Sequence, residues 1–327
     1  MRTLSPAPTS LFDPAAGTLR HGSFEGPLPA FDARAAGRLR RVATRKAWLY
    51  GAVTTDELWI SFCVVHLGYA SNAFVFVYDV ARGAMLVDRT AIAAPWQARV
   101  GDDPHRPGPL ATFRGRGLSL STSCDGASLV VSARSTDVDL DARLSAAAAP
   151  PAISAIASLG GGRYNTTEKR APLTVTGRAR VGARDVPLDG ALGGYDYTCG
   201  LLERRTRWRW AFGLGAVDGE PFAFNLVQGF VGEAECAAFA DGRVTPLAEA
   251  AIEVGSPSPE DPWRVRGDGY DLTFLPGGVH AQHTNLGVVR SKFIQPVGTF
   301  SGTMRVGDRE RTLEALPGVV EDQDVVW

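Results

Sequence analysis

Glycine and proline, 37 and 21 of 327 residues, are spread along the whole chain and interrupt nearly every periodic segment. Such punctuation works against long helices and favours many short strands joined by turns. Ala47 to Thr54, Glu57 to His66 and Asn72 to Val80 are rich in aromatic and β-branched residues, with turn residues between them. Thr55-Asp56 is short enough for a tight hairpin. Gly117 to Ser123 and Ala127 to Ala133 flank a second hairpin signal, Cys124-Asp125-Gly126, and Asp218-Gly219 and Asp241-Gly242 repeat the device. Helical periodicity is weak; Ala142 to Ala149 reads as a short helix or a linker ended by Pro150-Pro151.

The expected class is therefore all-β and antiparallel, sandwich or barrel, with little helix. An up-and-down barrel of ~8 strands is too small for this length, so two consecutive barrels are expected. They are placed at residues 1–190 and 191–327, the second carrying the site. No short-period repeat marks a solenoid or propeller.

Charge narrows the function. The 34 basic side chains balance 35 acidic ones, a formal net charge of −1, against the basic excess of a general nucleic-acid or membrane-surface binder. Lysine is confined to Lys46, Lys169 and Lys292, so nearly all positive charge is arginine; with abundant Ala and Gly this reflects genome composition. No run reaches the ~20 apolar residues that span a bilayer. Met1 to Pro14 lacks the pattern of a signal peptide, so the expectation is a cytoplasmic protein without a transmembrane segment. The four cysteines Cys63, Cys124, Cys199 and Cys236 form no CxxC pair and indicate neither zinc nor a disulfide framework.

Common catalytic signatures are missing: no GxxxxGK[ST] phosphate loop and no GxSxG elbow. Gly213-Leu214-Gly215 runs into Asp218-Gly219 instead of a helix, against a dinucleotide site. His280 and His283 form an HxxH, but within a Gly-rich, strand-like stretch and with no third ligand, so no metal is expected.

The densest chemistry lies between Gly193 and Phe230, GGYDYTCGLLERRTRWRWAFGLGAVDGEPFAFNLVQGF. As a strand, Arg204 to Trp210 separates Arg205, Arg207 and Arg209 from Thr206, Trp208 and Trp210. The two tryptophans are expected to point into the second barrel, as core packing or as a wall of an apolar cavity, with the arginines outward or paired with acids. Asp196 lies between Tyr195 and Tyr197. Buried against aromatics it would stay protonated near neutral pH, unless a cation such as Arg204, Arg205 or Arg207 kept it ionised; as a local motif it reads equally as a cap after Gly193-Gly194.

These segments resemble a bacterial family in the superfamily of hydroxyneurosporene synthase (carotenoid 1,2-hydratase) and AttH. The match is carried by RYNTTEK (Arg163 to Lys169), LTVTGRARVG (Leu173 to Gly182), YDYTCG (Tyr195 to Gly200), TRWRWAFGLG (Thr206 to Gly215) and FNLVQGF (Phe224 to Phe230). PWRV (Pro262 to Val265), LGVVRSKFIQPVGTFSG (Leu286 to Gly302) and the N-terminal strands extend it over nearly the whole chain. The resemblance implies two lipocalin-like barrels in tandem. In the hydratase branch the position matching Asp196 belongs to an Asp–His-type motif that protonates an isoprenoid double bond; here Tyr197 replaces that His. Related two-barrel proteins also act as pericyclases.

Together these readings favour a cofactor-independent lyase, isomerase or cyclase acting on an apolar unsaturated small molecule, with no nucleic-acid partner. Asp196 is the expected proton donor, oriented by Tyr195 or Tyr197. Trp208 and Trp210 are the expected cavity wall, and Asn225, Gln228, His283 and Gln295 the expected polar groups for a water or substrate oxygen. The alternatives are a carrier of a lipid or polyene that does no chemistry, and a pericyclase that acts by shape.

Overall fold

The computed structural model describes residues 3–32, 36–285 and 289–327. Leu286, Gly287 and Val288, part of one quoted motif, lie outside them. Among the described residues the strands form two curled sheets, of 15 and 9 strands, almost wholly antiparallel. Helix is confined there to the seven-residue Arg38–Thr44 and two 3₁₀ turns, Pro95–Gln97 and Gly232–Glu235. None of these is long and apolar enough to cross a membrane.

The hairpin signals sit where their chemistry requires. Asp218-Gly219 joins Arg205–Val217 to Glu220–Gln228, and Asp241-Gly242 joins Ala237–Ala240 to Arg243–Pro246. Both residues of each pair have positive φ, between 53° and 79°, the two-residue turn whose twist suits a hairpin. Asp125 Oδ1 accepts the backbone N–H groups of Ala127 and Ser128, closing the third hairpin. Ala142 belongs to a strand, not a helix: Leu140, Ala142 and Leu144 alternate inward along Val138–Ser145, so period two prevails over alanine's helix preference.

The first sheet runs from Ala84–Ala93 through Ser71–Asp79, Leu58–His66, Arg45–Thr54, Ala191–Leu201 and Arg163–Val181 to Val138–Ser145 and beyond. It curls around a core that includes Leu49, Val64, Phe113, Leu140 and Val175. Ala191–Leu201 is hydrogen-bonded on both edges within this sheet, to Arg45–Thr54 and Arg163–Val181. The chain therefore changes sheet at Leu202 to Arg204, past the boundary expected at residue 190. The second sheet places Arg205–Val217 between Glu220–Gln228 and Arg309–Val326, followed by Arg290–Val306 and Tyr270–Asn285.

The outer face of the first sheet packs on the Arg205–Val217 side of the second, and one apolar cluster spans both. Gly194 makes the approach possible. A Cβ there would lie 2.8 Å from Ala171 Cβ and 2.9 Å from the Phe212 ring, closer than packed atoms tolerate. Its role is contact within a strand, so the capping alternative for the Gly193 to Asp196 stretch does not apply.

Candidate functional site

Between the two sheets lies a cavity of about 410 Å³. Cross-strand register builds one wall. Cys63 is opposite Tyr50, Tyr50 opposite Asp196, and Asp196 opposite Lys169, so four strands present these side chains in one row. The facing wall repeats the device: Val227 is opposite Trp210, and Trp210 opposite Glu321. All these residues line the cavity. Trp48 stacks on Trp208 (5.7 Å between ring centres, 11° between planes), and Tyr50 meets Trp210 edge-on at 5.1 Å. Tyr69 and Ile92, both exposed, mark the opening.

Trp208 and Trp210 thus face the first sheet, not the interior of the second barrel as expected. Their cross-strand neighbours explain this: the opposite face of the same strand, at Gly213, packs on Phe224 and Leu316 inside the second barrel. From Trp210 to Gly215 both faces of the strand are buried, so an aromatic face has two places to go. The arginines keep their expected pairing with acids at two positions, Arg205 with Asp324 (2.6 Å) and Arg209 with Asp322 (3.2 Å).

Asp196 is buried among these aromatics, but a cation meets it. Lys169 Nζ lies 2.5 Å from Asp196 Oδ2 and 3.1 Å from Glu235 Oε2. Thr198 and Thr167 hydroxyls lie 3.2 and 3.5 Å from Asp196 Oδ1. Burial opposes the Lys169 charge, and the two carboxylates outweigh it, holding its pKa above the ordinary value. Burial raises the Glu235 pKa against the pull of Lys169. The expected lone, neutral Asp196 is therefore corrected to one arm of a buried ion-pair cluster. The cation is its cross-strand partner and not Arg204, Arg205 or Arg207.

Period two also separates Asp196 from its sequence neighbours. Tyr195 and Tyr197 point into the first barrel, where their hydroxyls donate to Glu168 Oε1 (2.5 Å) and to the Gly101 carbonyl (2.8 Å). Neither lines the cavity, and neither can orient Asp196.

Of the other expected residues, Gln295 lines the cavity. Asn225 stands behind the wall: its Oδ1 accepts the Trp210 indole N–H (2.6 Å) and its amide donates to the Glu235 carbonyl (2.9 Å). Gln228 accepts the Ile252 N–H, away from the cavity. His283 is exposed, while His280 is buried against Phe74 with Nδ1 2.7 Å from Asp88 Oδ1. Three residues apart on a strand, the two imidazoles face opposite ways.

Sequence reading missed Glu321. Its Oε1 accepts the Trp208 indole N–H and its Oε2 the Gln295 amide, each at 2.7 Å. Burial pushes its pKa up to about 7, aided by the charge of Asp196 and opposed by those two bonds and by Lys169. A carboxyl that titrates near neutrality, set among aromatic faces, can donate a proton to a bound molecule. The available signal was an acidic residue at an aromatic-facing position of a strand whose flanks, GVV and VVW, are apolar.

The fold is shared with tandem lipocalin-like proteins of known structure. The chain superposes on CghA in complex with Sch210972 with a TM-score of 0.54 at 11% identity, over 92% of this chain and 95% of that one. Kievitone hydratase from Nectria haematococca gives 0.53 at 11% identity, over 93% and 97%. A protein assigned as AttH from Nitrosomonas europaea gives 0.50 at 14%, over 85% and 92%. At such identities the likeness establishes the fold alone. No curated protein matches the chain by sequence. A family profile, described as a domain of unknown function, matches residues 5–327, and the chain belongs to that family, DUF2804.

Proposed function

We propose that the cavity between the sheets is the active site of a cofactor-independent enzyme that protonates a carbon–carbon double bond of an apolar small molecule. The observation that carries this reading is Glu321, a buried carboxyl poised near pH 7 beside Trp208 and Trp210. The Glu321 proton passes to one alkene carbon, and the cation formed at the other carbon is stabilised by the aromatic faces. A water then adds to that cation, and its proton passes to Asp196, which Lys169 holds in place; the product is the hydrated alkene. Loss of a proton from the neighbouring carbon instead gives the isomer. Environments that separate two carboxyls, one neutral and one ion-paired, supply the acid and the base. Kievitone hydratase, which shares the fold, is by its name an enzyme of this class of chemistry.

The test is incubation with acyclic isoprenoid alkenes, farnesene and farnesol, in D₂O. Carbon-bound deuterium is expected, and Glu321→Gln should lower its incorporation by about 10²–10⁴-fold, the usual worth of general acid catalysis. Asp196→Asn should suppress hydration more than exchange. Tight binding with no deuterium incorporated in any variant would instead describe a carrier.

A further inference from the structure

The hydrogen-bonding capacity left over in the cavity wall identifies the kind of molecule that completes it, given the reading of the cavity as a substrate site. Its cation is already committed. Lys169 is the sole Lys or Arg among the described lining residues, and it holds two carboxylates. Each amide nitrogen has one of its two N–H groups engaged: Gln295 Nε2 to Glu321 (2.7 Å), Gln323 Nε2 to Ser291 Oγ (3.1 Å) and Asn72 Nδ2 to Gln282 Oε1 (2.6 Å). The other ends of the same amides remain. Gln295 Oε1, Gln323 Oε1 and Asn72 Oδ1 have no hydrogen-bond partner among the described residues, although all three are almost wholly covered by protein atoms. An acceptor stripped of water and given no donor is unfavourable, and a ligand that brings a donor relieves it.

The position of these acceptors matters. Gln323 is the cross-strand neighbour of Trp208, and Gln295 is bonded to Glu321. Both stand beside the carboxyl that faces the double bond in the reading above. A carboxylate ligand would find the opposite of what it needs: three carboxyl groups, Asp196, Glu235 and Glu321, around a single engaged ammonium.

We propose that the cavity selects an apolar unsaturated molecule carrying a neutral hydroxyl, an alcohol or phenol, and rejects the corresponding carboxylate, with Gln295 and Gln323 as the specificity-determining acceptors. The amides turn their oxygens toward the cavity to accept the hydroxyl, and the hydrocarbon lies along the Trp48–Trp208 stack.

Three probes with one skeleton, farnesol, farnesoic acid and farnesene, test this by quenching of tryptophan fluorescence at pH 7.5. Farnesol is expected to bind at least about tenfold more tightly than either of the others, the order of one or two hydrogen bonds. In Gln295→Leu/Gln323→Leu, farnesol should fall to the affinity of farnesene, with farnesene unchanged. Gln323→Lys, which supplies a cation, should gain farnesoate and lose the preference for the alcohol; it decides the matter if the double variant does not fold. Farnesoate binding as tightly as farnesol, farnesol failing to bind, or an unchanged preference in the folded variants overturns the proposal. The readout is binding, so an enzyme without proton transfer that still prefers farnesol would sink the catalytic reading and leave this one standing.

Discussion

Glu168 and Glu321 are both carboxyls enclosed in apolar interiors, on opposite sides of the same layer of strands, and their surroundings differ in one respect. Glu168, inside the first barrel, accepts the Leu28 N–H (2.6 Å) and the Tyr195 hydroxyl (2.5 Å) and pairs with His105 (2.6 Å). Glu321, between the barrels, has two neutral donors and a like charge nearby in Asp196. The first gathers an N-terminal segment, a loop and a strand onto one group. The second stays titratable because nothing around it is both cationic and close. Donor number and partner charge, and not burial alone, decide which buried carboxyl is a strut and which can move a proton.

The sharpest way to break this contrast is to remove each group. Glu168→Ala strands the Leu28 N–H and the Tyr195 hydroxyl and leaves His105 without its partner. A loss of about 3–5 kcal/mol is expected in urea unfolding, as for other broken buried pairs. Glu321→Gln keeps an acceptor for Trp208, and the Gln295 amide can turn its unpaired oxygen to the new NH₂. At pH 5 its stability should stay within about 1 kcal/mol of the parent. Equal losses in the two variants would mean that Glu321 too is architectural.

A smaller effect separates them by pH. The Glu321 pKa rises from 4.5 unfolded to about 7 folded, chiefly through burial. A raised folded pKa contributes stability that is complete below pH 4.5 and is lost as pH rises through about 7. The loss is roughly 3 kcal/mol, at about 1.4 kcal/mol for each pH unit of displacement. Unfolding free energies at pH 5 and pH 8 should therefore differ less in Glu321→Gln than in the parent. A parent protein with no such decline would place Glu321 in a better-solvated site than its lining suggests.

How much of this was legible beforehand follows from what period two can encode. Strand positions, the Asp-Gly hairpins and the paucity of helix were readable because turn residues and β-branched runs are local signals. The aromatic face at Trp208 and Trp210 was readable too, but its direction was not, since from Trp210 to Gly215 the strand is buried on both faces and alternation labels neither as inside. Asp196 was identifiable as unusual, whereas its partner Lys169 lies in another strand and only register brings them together. The run Glu321-Asp322-Gln323-Asp324 is wholly polar, yet Glu321 and Gln323 face the cavity while Asp322 and Asp324 pair with arginines on the other side. Non-local pairing carries the site, and a single sequence does not print it.

The smallest expected effect belongs to His105, at the edge of the Glu168 cluster. Burial disfavours its charge, but the hydrogen bond to Glu168 and that residue's charge outweigh it and raise its pKa above the usual 6.5. A raised folded value again means stability that is complete below pH 6.5 and lost as pH climbs through the folded pKa, a higher window than that of Glu321. The side chain is 27% exposed, so solvent weakens the pair and the effect on unfolding is modest. The ring proton of His105 in an NMR titration reads it directly. Glu168→Gln removes the charge while keeping an acceptor, and the resonance should then titrate at lower pH than in the parent. Glu321→Gln should leave it in place, because the sheet separates the two carboxyls. A shift in both variants would join the two clusters into one electrostatic unit and erase the distinction between strut and proton donor.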